Sequence, residues 1–267
     1  GAVPSAGGVY AEKSTGRAYF SNFFANTISV FNYSTGGFVN SFATSLNGVR
    51  SIRALEGAFA GQVLVISSGT VLRGVLSPTG FSSLASYDAA GLGQGMTQAP
   101  NGRLLMGSLN GTVRVIDQNG TLVSASSVLP NFLSSDVIGS IEMVGNNVFV
   151  SATSGNLASG HVYRGTFNGT SISWNAAPIY TNSTLLYGYG VTRGHGSRLY
   201  FGFGGAGLTD SRIVRIDTVT NGTLEIDNAA VGGSFGLSSV VAPEPGTMIA
   251  LGLGLAALVR GRRAGKK

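Results

Sequence analysis

The chain offers few groups able to carry out covalent chemistry. Only two histidines, His161 and His195, occur in 267 residues, and cysteine is absent. A histidine-rich metal site needs two or three ligands converging with carboxylates, and neither histidine has such companions at a suitable spacing. His195 sits in the turn Arg193-Gly-His-Gly196, and His161 opens an alternating apolar segment. Thiol and disulfide chemistry are both excluded. Among the acids, Asp117 and Asp217 end matching alternating segments, where aspartate accepts hydrogen bonds from turn N–H groups. Glu12 and Glu142, with Arg53 and Arg193, fall instead in the segments that open each repeat described below, and form a candidate polar lining. Gly202-Phe-Gly-Gly-Ala-Gly207 has the spacing of a dinucleotide loop. A strand pattern rather than a helix follows at Arg212, so no helix N-terminus would face a phosphate, and the run reads as a loop between strands. Nucleophile-elbow, phosphate-loop and calcium-loop sequences are missing. The expectation is no catalytic residue, no metal and no cofactor.

Charge excludes a further class. The net charge of +6 comes mostly from Arg260, Arg262, Arg263, Lys266 and Lys267. Before Pro245 the chain is nearly neutral and its arginines are scattered singly, a poor footprint for nucleic acid. Six Asn-x-Ser/Thr triplets begin at Asn32, Asn110, Asn119, Asn168, Asn182 and Asn221. Turn chemistry accounts for them better than glycan attachment, since four read Asn-Gly-Thr. Tyr187, Tyr189, Tyr200, Phe201 and Phe203 cluster late in the chain; most belong in a core, and any exposed tyrosine would offer a stacking surface for a sugar ring.

The elements that position these residues repeat. Strongly apolar segments recur at Arg17–Phe20, Gln62–Val65, Arg103–Met106, Asn147–Val150 and Arg198–Phe201. With Tyr19, Leu64, Leu105, Phe149 and Tyr200 as equivalents, the spacings are 45, 41, 44 and 51 residues. An alternating segment follows each one: Thr27–Phe31, Val71–Val75, Thr112–Ile116, His161–Arg164 and Arg212–Ile216. Alternation of period two is the mark of a half-buried strand. Asn119-Gly120, Asn168-Gly169 and Asn221-Gly222 stand where the third strand of a unit turns into a fourth. Few charges (10%) and 42 glycines suit short strands joined by tight turns. Four strands in each unit of this length predict an all-β fold, a β-propeller of about five four-stranded blades over residues 1–241. Phe235–Val241 resembles the opening strand of another unit, so six or seven blades remain open if the chain is a piece of a longer one. It begins Gly1-Ala2-Val3-Pro4 without Met or an apolar leader, which fits either a removed leader or a fragment. A two-sheet sandwich is the rival fold and explains the period less well. The segment from Asn26 to Gly36 is similar to the repeat of YVTN- and NHL-like propellers, a resemblance that implies the fold and, for most members, a binding or scaffold role.

Residues 242–267 read as a separate tail. Pro243-Glu244-Pro245 breaks regular structure. From Gly246 to Val259 the chain is uncharged, with Met248, Ile249, Leu251, Leu253, Leu255, Leu258 and Val259 apolar on all sides. As a helix this run would rise about 21 Å, short for a membrane span, and the basic cluster from Arg260 to Lys267 would stay cytoplasmic. This order of Pro-Glu-Pro, apolar helix and basic end resembles the PEP-CTERM sorting signal of Gram-negative bacteria. The resemblance implies export, transient anchoring in the inner membrane, recognition by an exosortase-type enzyme, and arrival at the cell surface or outside. The expected function is therefore a non-catalytic binding or scaffold propeller, with extracellular polysaccharide or another surface protein as partner. A secreted lyase or hydrolase acting on polysaccharide and a self-assembling surface subunit are the alternatives.

Overall fold

The computed structural model describes residues 6–227, apart from 13, 23–24, 68–69, 89–91, 133–136, 154–158 and 206–210. The protein is built from β-strands, with one short 3₁₀ turn at Gly57–Phe59 among the described residues. Five antiparallel sheets each take four strands in sequence order. Blade one holds β1 (Ala6–Glu12), β2 (Arg17–Asn22), β3 (Thr27–Asn32) and β4 (Phe38–Ala43). Blade two holds β5 (Ser51–Ala54), β6 (Val63–Ser67), β7 (Thr70–Ser77) and β8 (Gly80–Asp88). Blade three holds β9 (Leu92–Gln98), β10 (Leu104–Ser108), β11 (Val113–Ile116) and β12 (Leu122–Ala125). Blade four holds β13 (Val137–Val144), β14 (Asn147–Thr153), β15 (Gly160–Phe167) and β16 (Ile172–Trp174), with β17 (Tyr180–Asn182) pairing β15 beyond β16. Blade five holds β18 (Leu185–Arg193), β19 (Arg198–Gly205), β20 (Ser211–Asp217) and β21 (Thr223–Asp227). This is a five-bladed propeller, and the sandwich is set aside.

The core lies between blades. Tyr19, Ile28 and Val30 of blade one pack on Ile52, Val63 and Val65 of blade two. Leu64, Ile66 and Tyr87 continue to Met96, Leu104 and Met106 of blade three. Leu105, Val113 and Val115 meet Ile141, Val148 and Val150 of blade four. Phe149 and Val162 then meet Phe201, Phe203 and Val214 of blade five. Second strands bury both faces because each blade is covered on two sides, which is why they read as apolar runs; third strands are more often half-buried and alternate. The innermost strands approach closely enough to need small residues. A Cβ on Gly8 would lie 2.7 Å from Ser51 Cα, and one on Gly95 2.8 Å from the Ser140 backbone.

The turns use side-chain caps. Asp117 Oδ1 accepts from the N–H groups of Asn119 (2.9 Å) and Thr121 (2.8 Å), and Asp217 Oδ1 from Val219 (2.9 Å) and Thr220 (3.0 Å). The N–H groups of Thr220 and Val219 hold the Asp217 carboxyl below its ordinary pKa. Each Asn-Gly pair stands at its expected third-to-fourth-strand turn. Only one residue of each pair takes a left-handed φ: Gly120 (+92°), Gly169 (+101°) and Asn221 (+60°). These loops exceed two residues, so a single left-handed position suffices where a two-residue primed turn would need two. Gly202–Gly205, expected as loop, is strand: all four residues pair with β18, and the first three also pair with β20, with Gly202 opposite Ile213. No described helix is long and apolar enough to cross a membrane. The expected sorting helix, the 241/242 boundary and the Phe235–Val241 strand lie outside the described residues.

Candidate functional site at the channel mouth

Where the innermost strands end, a cavity of about 290 Å³ is lined by residues from all five blades. Its organisation follows from strand register. The hairpin partners of Tyr19, Leu64, Leu105, Phe149 and Tyr200 are Tyr10, Arg53, Thr97, Glu142 and Thr192. These five occupy one equivalent position per blade, and every one lines the cavity. Directly paired residues share a sheet face, so each first-strand residue looks the same way as its second-strand partner, toward the next blade.

Three members of this ring bond to one another. Arg53 donates from Nε to the Met96 carbonyl (3.1 Å), and from Nη2 to the Ile141 carbonyl (3.1 Å) and the Glu142 carboxylate. Thr97 Oγ1 donates to Glu142 Oε1 (3.3 Å). Arg193, one residue beyond the ring position of blade five, reaches the same carboxylate from Nη2 (3.1 Å) and Nε (3.2 Å). The Met143 N–H supplies a further bond to Glu142 (3.1 Å). Burial alone would raise the Glu142 pKa; the Arg53 and Arg193 charges and the Met143 N–H outweigh it and hold the carboxyl below its ordinary value. A single buried carboxylate thus ties blades two, three, four and five across the axis. Beside it, Gln98 and Glu56 exchange two bonds: the Glu56 N–H donates to Gln98 Oε1 (2.7 Å), and Gln98 Nε2 to the Glu56 carbonyl (3.3 Å).

The sequence had placed Arg53, Glu142 and Arg193 in a channel lining, and the structure brings them together. Glu12 does not join them; it ends β1 and accepts from Thr15 and from the Tyr19 hydroxyl (3.3 Å). His161 bonds Ser159 (2.8 Å) and Thr181 (3.0 Å) at the start of β15, while His195 lies in the exposed turn after β18. Among the described residues no cluster of three metal-ligating side chains occurs. Four of the Asn-x-Ser/Thr triplets are capped turns, with Oδ1 of Asn32, Asn110, Asn168 and Asn182 accepting an N–H two residues on. Phe201 and Phe203 are core, Tyr200 is half-buried, and the Tyr187 and Tyr189 side chains lie outside the described residues.

Beyond these residues, the profile of the PEP-CTERM protein-sorting motif matches residues 241–263. The chain carries a PEP-CTERM sorting motif. The motif spans the apolar run and the start of the basic cluster, and it implies export, transient membrane anchoring and processing by an exosortase-type enzyme. No curated protein matches the chain in sequence. In structure it is similar to a luciferin-regenerating enzyme (14% identity, 84% of this chain and 76% of that chain, TM-score 0.61). It is also similar to a chain of the nidogen/laminin complex (11%, 86% and 83%, 0.60) and to the Cps50 (Swd1) β-propeller domain of Myceliophteria thermophila (10%, 84% and 86%, 0.53). At these identities the likeness establishes the propeller fold and nothing about chemistry.

Tyr10, Thr97, Gln98, Thr192 and Glu56 were missed as site residues. Their signal was present in the seven-to-eleven-residue offset before each second-strand anchor, but only pairing register turns that offset into a shared position.

Proposed function

We propose that the protein is a non-catalytic binding or scaffold propeller displayed at the cell surface or in the extracellular matrix after sorting through its tail. The match of the sorting motif to residues 241–263 carries this reading. The channel supports it as well: the buried acid at the axis is committed to two arginines, a threonine and a backbone N–H, which leaves it poorly placed to act as a general base. The partner is extracellular polysaccharide or another surface protein.

Intact mass of the chain from surface and inner-membrane fractions of the native host tests the sorting step. A surface form ending near Pro245 is expected; a chain running through Lys267 and confined to the inner membrane overturns display. Retention of the surface form on purified host polysaccharide tests the binding step, and turnover of that polysaccharide by the protein would replace it with the enzyme reading. A self-assembling subunit is favoured by one observation: outer strands expose Phe38, Leu84, Leu122 and Leu224. Light scattering that shows one protomer per particle at every concentration ends that reading.

A further inference from the structure

The ring of equivalent positions is divided. Arg53, Thr97 and Glu142 satisfy one another, whereas the hydroxyls of Tyr10 and Thr192 make no hydrogen bond among the described residues. These two belong to blades one and five. Beside Thr192, the Arg193 side chain is 56% exposed and spends only Nε and Nη2 on Glu142, which leaves Nη1 without a protein acceptor among the described residues. Glu56 lines the same mouth from just past the end of β5 in blade two. One side of the mouth is therefore closed by its own bonds, and the other presents a guanidinium edge and two hydroxyls to an open space, with Glu56 at the rim between them.

Chemistry and size narrow the occupant. A cavity near 290 Å³ stands at the lower limit for small-molecule sites, about 300–1,000 Å³, and suits a single ring. A guanidinium with a free edge selects a planar carboxylate. Phosphate or sulfate would add charge against Glu56 and Glu142; Arg53 already bonds Glu142 and two backbone carbonyls, which leaves the free edge of Arg193 to offset it. Hydroxyl and carboxylate partners around the space call for a ligand rich in hydroxyls, and a neutral sugar would leave Arg193 unmatched. We propose that the channel mouth binds a sugar acid, a pyranose carrying a carboxylate. Arg193 takes the carboxylate, and Thr192, Tyr10 and Glu56 take the ring hydroxyls. This deepens the binding-module reading and rests on it.

The test is calorimetric titration of the full chain in detergent micelles with D-glucuronate, alongside D-glucose and acetate. Glucuronate is expected to bind, with glucose and acetate each at least tenfold weaker. R193Q is expected to weaken glucuronate at least tenfold, as loss of a charge-assisted pair does, and T192V about threefold. Because the Thr192 hydroxyl makes no hydrogen bond among the described residues, T192V keeps the test valid if R193Q fails to fold. No glucuronate binding, acetate binding as tight as glucuronate, or affinity unchanged in T192V overturns the proposal. Polysaccharide retention that survives in R193Q and T192V would move the binding surface elsewhere and leave the binding-module reading intact. Loss of retention by the wild type, with glucuronate binding preserved, would do the reverse.

Discussion

The four junctions between consecutive blades and the seam between blade five and blade one are made from the same strands but differ in chemistry. Each consecutive junction buries a cluster of aliphatic and aromatic side chains. Among the described residues no buried cluster joins blade five to blade one. Blade one turns to that side a ladder of Phe20, Phe31 and Phe38, with ring centroids 5.3 and 5.5 Å apart and Phe38 58% exposed. On blade five, Tyr200, Ile213, Leu224 and Ile226 occupy the face away from blade four, and the last two are exposed. In an array of repeats, stability is close to a sum of unit and neighbour terms, so a junction that buries less among its described residues contributes less locally. Among the described residues the terminal blades are thus the less packed part of the ring, and the unbonded hydroxyls of the channel mouth belong to them.

The largest effect should come from emptying a packed junction. Phe149→Ala removes a fully buried ring between blades four and five and is expected to cost about 3–5 kcal/mol in urea unfolding. A loss below about 1 kcal/mol would mean that the junctions do not carry the stability and would break the contrast. Next is the axial tie. Glu142→Ala leaves Arg53 without its carboxylate; removing one partner of a buried pair costs about 3–5 kcal/mol, and partial exposure of Arg53 brings the expected loss to about 2–3 kcal/mol.

Acid should act in the same direction by a smaller amount. The Glu142 carboxyl is held below its ordinary value in the fold, so its contribution is complete above the ordinary carboxylate range and is lost as pH falls through the lowered value. Unfolding midpoints should therefore be flat near neutrality and decline in acid, with a shallower decline in Glu142→Gln. An equal slope in that variant would assign the acid sensitivity elsewhere. The smallest effect belongs to the seam: Phe38→Ser should change stability by no more than about 0.5 kcal/mol. A seam loss matching that of Phe149→Ala would show that blades one and five are packed after all.

The sequence revealed the second and third strands because their patterns are set by burial alone. Second strands such as Asn147–Val150 are apolar on both faces, and third strands such as Arg212–Ile216 alternate. First strands were harder to see. Gly8, Gly95 and Gly188 serve close approach near the axis, which removes the apolar periodicity that marks a strand. The same glycine content disguised Gly202–Gly205 as loop. Arg53, Glu142 and Arg193 were recognisable as axial residues because they precede second strands. That one carboxylate would take both arginines, while Glu12 turned to Thr15 and Tyr19, depends on the lateral offset of blades, which no local pattern records.

The last described strand also has a mechanical meaning. Each blade is a continuous stretch of chain, so among the described residues blade five ends on β21, an outermost strand, and not on a strand locked at the axis. A pull applied at the end of β21 would reach the Asp227↔Arg212 pair first and load the β20–β21 rungs one after another, as in opening a zip. Glu225 stands two residues in from that end. It accepts from the Tyr180 hydroxyl (2.6 Å), from Asn182 Nδ2 (2.9 Å) and from Arg212 Nη1 (2.7 Å), which joins β21 to both its own blade and blade four. That side chain is the catch that must release before peeling can pass beyond the first rungs of β21.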